Sequence, residues 1–253
     1  ALPETLVAHA RRAEAGRLRG LRVVRLAVHP ALQRRGLGRA LLDAVAGAAC
    51  ARGLDWVGAL FGATRELLAF WMRAGFVPVR LSVSRGGASG EHSAAVLLPC
   101  SAAGAALARA LRAAFVEDLP HQLGDPLREL DPDVALAALE GAPWRAPHLT
   151  DRQIEQLVAS TRGGLPYGVG VAAAFELVSA ALPAHDGLEP AQRRALVMKV
   201  LQRRDWDDVA RALGAPGVPD AMRAVRSALE RLVLAHGGER AAALARALAR
   251  RAR

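Results

Sequence analysis

The chain has 253 residues, which allows one large domain or two modest ones, and its 52% hydrophobic content is enough for a real core. Aromatics supply only 4%, so Leu, Val and Ala must fill that core, and a formal charge of +10 carried almost wholly by arginine favours anionic partners. Two cysteines without ligand spacing argue against a disulfide framework and fit a reduced compartment; no segment is apolar for long enough to span a bilayer, and no signal-peptide pattern opens the chain, so the expectation is a cytoplasmic protein without membrane contact.

Residues 5–18 read as a moderately amphipathic helix. Leu21 to Val28 is rich in β-branched residues and reads as a strand, stopped by Pro30. Gly36 to Arg52 reads as a helix whose residues Leu37, Leu41, Val45 and Ala49 form one buried stripe, with Gly53 just past its end. Asp55 to Phe61 is a second strand. Thr64 is a good N-cap for a helix over 65–74, with Glu66 in the first turn, where the helix dipole favours an acid. Two more strands follow, over 77–84 and 93–98. After Pro99 the pattern turns helical throughout: 102–118, a capping box at Thr150, a helix from Pro190 to about Arg203, then 220–235 and 239–252. The expected division is an α/β domain over 1–100 and an all-α region over 101–253. Charge follows it: residues 1–100 hold 14 Arg against 6 acids, +8, whereas the remainder holds 20 Lys plus Arg against 18 acids, +2.

The sharpest local signal is strand, Pro, then Gln33-x-x-Gly36-x-Gly38 opening a helix. A helix N-terminus presents unpaired N–H groups and partial positive charge, and glycine lets an anion reach the backbone, so a pyrophosphate is the natural ligand. Arg34, Arg35 and Arg39 would add cations around it. The turn is neither a Walker A loop nor a dinucleotide fingerprint, and glycine here for turn geometry alone is the competing reading.

Three strings extend the pattern: Val24 to Gly38; Phe61-Gly62-Ala63-Thr64 through Phe70-Trp71, Arg73 and Gly75 to Arg80; and Ser89-Gly90-Glu91-His92-Ser93. The order of elements over 21–99 resembles the second half of the GNAT acetyltransferase fold, a partial mixed sheet. The three strings together resemble the acetyltransferase and tail regions, the C-terminal part, of the bacterial tRNA(Met) cytidine acetyltransferase family. That resemblance implies acetyl-CoA held by Leu26, Ala27 and Val28, by the turn Gln33, Arg34, Arg35, Gly36, Leu37, Gly38 and Arg39, and by Glu66 and Arg73. Glu66 and Arg73 lie seven apart and share one helix face. It further implies N4-acetylation of the wobble cytidine of elongator tRNA(Met), with an amide near Val28 as oxyanion donor. Family members carry an upstream ATP-hydrolysing, helicase-like module with a Walker A loop. None occurs in these 253 residues, so ATP enters only with such a module, and the chain is expected to be a fragment, a split gene product or a reduced homologue.

His29 ends the first strand and is the first candidate base, with His92 and Glu91 as weaker ones. The single tyrosine, Tyr167, falls in the helical region. For RNA contact the sequence offers Arg11, Arg12, Arg17, Arg19, Arg80 and Arg85, a second group at Arg193, Arg194, Arg203 and Arg204, and the aromatics Trp144, Tyr167 and Trp206; each aromatic reads first as a packing residue. Acetylation of a protein or small-molecule amine, and a non-catalytic tRNA-binding module, stay open as alternatives.

Overall fold

The computed structural model describes every residue except 1, 10–12, 87–89, 144, 163, 185–186 and 252–253; the side chains of 3, 8, 9, 13, 14, 184 and 251 are also outside the description. Arg11, Arg12 and Trp144 therefore lie outside the described residues. The chain divides into two compact units, Ala1–Asp118 and Leu119–Arg253.

The first unit is built on a four-stranded mixed sheet in the order β1-β2-β4-β3. β1 (Gly20–Val23) runs parallel to β2 (Trp56–Gly62), and β4 (His92–Pro99) lies antiparallel to both β2 and β3 (Val77–Arg85). Alternation sends successive β2 side chains to opposite faces. Trp56, Ala95 and Leu97 pack on one face with Leu2, Leu6, Leu107 and Leu111. Val57, Ala59 and Val96 pack on the other, against α1 (Leu37–Ala51) and α2 (Arg65–Arg73) through Leu42, Ala49, Trp71 and Phe76. The helix α3 (Ala102–Leu123) contributes Leu107 and Leu111 to the first core; the expected change of character at residue 100 falls just before it.

Several expectations are met at the level of caps. The Thr64 hydroxyl accepts from the Leu67 amide at 3.2 Å, and Thr150 with Gln153 closes a reciprocal capping box. Pro190 occupies the first turn of its helix behind Glu189. Others are corrected. Where one helix is expected over 5–18, the described residues form short separate turns, α over Leu2–Glu4, π over Thr5–His9 and 3₁₀ over Ala13–Arg17; Leu2, Leu6 and Ala15 lie in the core. The first strand stops at Val23 instead of Val28, because its ladder with β2 ends there. The buried face of α1 is also rotated from expectation. Leu37 and Leu41 are 43% and 48% exposed, while Leu42 is 2% exposed and Val45 and Ala49 complete the inward line. Both lines satisfy a helical period, and the sheet selects the second.

The absence of a disulfide is likewise corrected. Cys50, at the end of α1, and Cys100, just past β4, are bonded, with their Cα atoms 4.9 Å apart.

The second unit is helical among its described residues. Its helices are α4 (Pro132–Leu139), α5 (Asp151–Thr161), α6 (Val171–Ala181), α7 (Pro190–Leu196), α8 (Trp206–Leu213), α9 (Val218–His236) and α10 (Gly238–Arg251). Leu157, Leu177, Leu196, Val225 and Leu229 lie in its core. The helix expected to run to Arg203 ends earlier. It widens into a π turn over Val197–Leu201, and Arg203 takes a left-handed φ of 54°. Side chains hold that end: Gln202 Nε2 and an Arg204 guanidinium nitrogen donate to the Leu130 carbonyl at 2.6 and 2.8 Å.

Candidate active site

The site begins where β1 and β2 part. β1 pairs with β2 only as far as Val23 opposite Ala59, yet β2 continues to Gly62 with β4 as its partner. Residues 24–28 leave the ladder, and among the described residues no main-chain hydrogen bond joins them to another segment. Apart from the Val28 carbonyl, which accepts from the Gln33 side chain, their amides and carbonyls face a ligand or water. The gap is a cleft of about 440 Å³. One wall is Val23 to Ala27; the other is Ala59, Leu60 and Phe61 of β2 with Leu67, Phe70 and Trp71 of α2. Such a slot, apolar in side chains with a strand of free backbone along it, suits a thin amide-bearing chain.

At the end of the splayed strand the chain turns sharply into α1. Gln33 Nε2 donates to the Val28 carbonyl at 3.0 Å, which closes the turn on itself. Arg34 has φ 60° and Gly36 φ 83°, so two left-handed residues shape it. The first bond of the helix runs from the Ala40 amide to the Gly36 carbonyl. The amides of Leu37, Gly38 and Arg39 therefore precede the helical ladder, and Gly36 has no side chain to cap them. A Cβ on Gly38 would lie 3.3 Å from the Phe70 ring, so glycine lets α1 approach α2 closely here.

The sequence-selected residues take different positions. Leu26 and Ala27 line the cleft, and Ala27 and Val28 also line a second, apolar hollow with His29, Leu32, Leu37, Ala40 and Leu41. Arg34 and Arg35 stand exposed at the turn. Arg39 is bound instead: its guanidinium pairs with Asp43 at 2.8 Å and donates to the Arg73 carbonyl. It joins the start of α1 to the end of α2. Glu66 and Arg73 are exposed in the first and last turns of α2.

His29 caps the 3₁₀ turn Pro30–Leu32, with Nδ1 accepting from the Ala31 amide at 3.3 Å. It lines the second hollow rather than the cleft. His92 is buried, with Nδ1 2.8 Å from the Ser82 carbonyl. Tyr167 lies in the second unit, edge-on to Trp206 at 5.3 Å, with Lys199 Nζ 4.5 Å from the Trp206 ring centre. Burial pushes the Tyr167 hydroxyl up to about 12. Tyr167 and Trp206 thus pack on each other and on the chain's one lysine.

Sequence reasoning missed the second wall of the cleft. Helical period sets Leu67 with Phe70/Trp71 and Ala74 on the core face of α2, but Leu67 is 40% exposed and lines the cleft, while Leu68 is fully buried. Leu67 and Phe70 lie three apart and beside Glu66, the available signal that this flank of α2 serves the ligand.

Residues 40–101 match the family model described as GNAT acetyltransferase 2. The chain is 44% identical over 242 residues to the tRNA(Met) cytidine acetyltransferase TmcA of Nitrosococcus halophilus, an alignment covering 94% of this chain and 32% of that protein. It is 37% identical over 230 residues to the TmcA of Methanopyrus kandleri, covering 89% and 27%, and 36% identical over 240 residues to that of Haloarcula marismortui, covering 93% and 31%. The chain spans about a third of the length of the curated relatives it matches.

Proposed function

We propose that this chain, which carries a GNAT acetyltransferase domain, transfers the acetyl group of acetyl-CoA to N4 of the wobble cytidine of elongator tRNA(Met). The observation that carries the reading is the continuity of the splayed strand 24–28 with the uncapped amides of Leu37, Gly38 and Arg39. One ligand that is amide-bearing at one end and doubly anionic at the other fits both features. Coenzyme A is such a ligand, and the relatives' names point the same way.

In this reading Leu26, Ala27 and Val28 bind the pantetheine arm through main-chain groups. Leu67 and Phe70 exclude water from its other side. Gln33 holds the turn in shape, and the three amides with Arg34 and Arg35 receive the pyrophosphate. Arg39 fixes α1 to α2 so that the two walls keep their spacing. Glu66 and Arg73 stand on α2 as further contacts for the coenzyme. The bound thioester supplies an activated acyl group, and a main-chain amide of the splayed strand stabilises charge on its oxygen.

The partner is tRNA(Met). An upstream ATPase or helicase-like module, where one is joined to this chain, brings the ATP dependence; nothing in the domain described here is assigned to ATP. The test is mass spectrometry of nucleosides from tRNA(Met) incubated with acetyl-CoA, with and without the protein. Acetylcytidine appearing only with protein and acetyl-CoA is the expected result. Its absence, together with acetylation of a protein or small-molecule amine, would replace the acceptor.

A further inference from the structure

Arginine in the helical unit often stands against an acid: Arg145 meets Glu176 and Arg162 meets Glu230, each at 2.7 Å. One group departs from this. Arg128, Lys199, Arg203 and Arg204 come together where α7 ends in its π turn, and among the described residues none of them pairs with a carboxylate. Main-chain carbonyls hold them instead. Arg204 donates to the Arg128 and Leu130 carbonyls at 3.1 and 2.8 Å, Arg128 donates to the Arg203 carbonyl at 3.2 Å, and Lys199 Nζ donates to the Arg204 carbonyl at 2.6 Å. The Arg203 guanidinium makes no hydrogen bond among the described residues and lies 5.9 Å from the centre of the Phe175 ring. Its backbone φ of 54° is unfavourable for a residue with a side chain, and the bonds of Gln202 and Arg204 to Leu130 brace it on either side.

Cations set side by side repel one another. Lys199 holds its proton less firmly than a free lysine, first because burial strips water from it and also because Arg128 stands nearby; Asp205 opposes the shift through space without pairing. An anion meeting Arg128, Lys199 and Arg203 together relieves that repulsion. The donors for it are present: a guanidinium has five N–H groups and an ammonium three, and one each of Arg128 and Lys199 is engaged. Arg128 and Arg203 are exposed and Lys199 is half-buried, against the Tyr167 and Trp206 rings. Close by in the chain Val169 and Val171 are 48% and 36% exposed, and Val171 lies one turn before Phe175 on α6. A polymer of phosphates bearing flat apolar rings matches this mixture of unpaired cations and apolar surface, whereas a small anion would use the cations alone. We propose that Arg128, Lys199 and Arg203 form a phosphate-binding surface for an RNA backbone, through which the helical unit holds the acceptor tRNA. The choice of RNA as partner rests on the acyl-transfer reading above; the grouping of the cations does not.

The experiment titrates a labelled, unmodified tRNA(Met) transcript with protein by fluorescence anisotropy over a series of salt concentrations. Wild type is compared with Arg203→Asn, Lys199→Gln and, as control, Arg223→Asn. Asparagine tolerates the left-handed φ at 203, and glutamine at 199 keeps a donor for the Arg204 carbonyl. Neutralising either site cation weakens tRNA binding and makes the slope of log Kd against log salt shallower by about 1. Arg223 is also exposed but pairs with Asp220, so its loss leaves slope and affinity at wild-type values. Acetyl-CoA affinity by calorimetry stays at the wild-type value throughout, since none of these residues lines the cleft. Thermal melting checks folding, and Arg203→Asn decides the question alone if Lys199→Gln does not fold. An unchanged slope in Arg203→Asn overturns the surface, and so does an equal loss in Arg223→Asn, which would mark diffuse charge rather than a site. Variants that lose binding to phosphatidylserine vesicles while keeping tRNA overturn RNA as the partner. Wild type that binds tRNA through these residues yet acetylates no cytidine removes the acceptor reading and leaves the surface standing; wild type that acetylates cytidine while the variants bind tRNA normally does the reverse.

Discussion

Replacing Gly36 by alanine isolates the conformational requirement of the phosphate turn. Gly36 sits at φ 83°, and a Cβ there would meet nothing within 4 Å. The added methyl therefore costs nothing through contact and acts only through the backbone. Holding an L-residue in the left-handed region costs about 1–2 kcal/mol. A free turn can relax out of that region, whereas a diphosphate on the amides of Leu37, Gly38 and Arg39 requires it. The strain then appears in binding, and 1–2 kcal/mol corresponds to roughly a five- to thirty-fold weaker Kd for CoA. If the turn does not relax, the same strain appears as a lower melting temperature of the unliganded protein. Calorimetric titration with CoA and a thermal melt together capture both routes. Gly36→Asn tolerates left-handed φ better and recovers a large part of the loss. Gly36→Ala with both Kd and melting temperature at wild-type values would refute the reasoning.

Three further outcomes follow from the same geometry. Leu67→Asp places a charge on the exposed cleft wall and weakens acetyl-CoA binding at least about fivefold with little change in melting temperature, since burying an unpaired polar group costs ~1–3 kcal/mol; Leu68→Asp, at a fully buried position, abolishes folding as read by circular dichroism. Asp55 accepts from the Ser101 hydroxyl at 2.6 Å and the Arg19 amide at 2.8 Å, and these bonds, Ser101 first, hold its carboxyl below the usual range. A depressed folded-state pKa stabilises above the unfolded value of about 3.9 and loses that contribution as pH falls through the folded value. Asp55→Asn therefore melts below wild type at pH 7, and the two curves converge in strong acid; a gap that widens on acidification would contradict this. Reducing the Cys50–Cys100 bond, or Cys50→Ser, releases a loop of about fifty residues and destabilises the first unit by up to about 4 kcal/mol on chain-entropy grounds, measured by denaturant titration with and without reductant.

Much of the fold was legible wherever a local rule acts within a few residues. Thr64, Thr150 and Pro190 mark helix starts because capping is decided over four residues, and the turn Gln33–Gly38 announced itself through glycines at the opening of a helix. What escaped depends on partners distant in sequence. Val24 to Val28 has the composition of a strand, but a strand needs a ladder, and β2 gives its edge to β1 only as far as Ala59. Leu41 and Leu42 are adjacent and equally apolar, so periodicity alone could not say which one the sheet would cover. Leu67 and Leu68 repeat the same ambiguity on α2, and there it exchanged a cleft residue for a core residue.

The sulfur bridge also sorts the cleft topologically. Between Cys50 and Cys100 the backbone forms a closed covalent ring, which contains β2, α2 and the Glu91 position. The splayed segment 24–28 and the glycine turn hang outside it as an open arm. One wall of the slot thus belongs to the ring and the other to the arm. A single cut by a protease anywhere from residue 51 to 99 would leave one molecule of unchanged mass apart from an added water, and its pieces would separate only once a reductant opened the bridge.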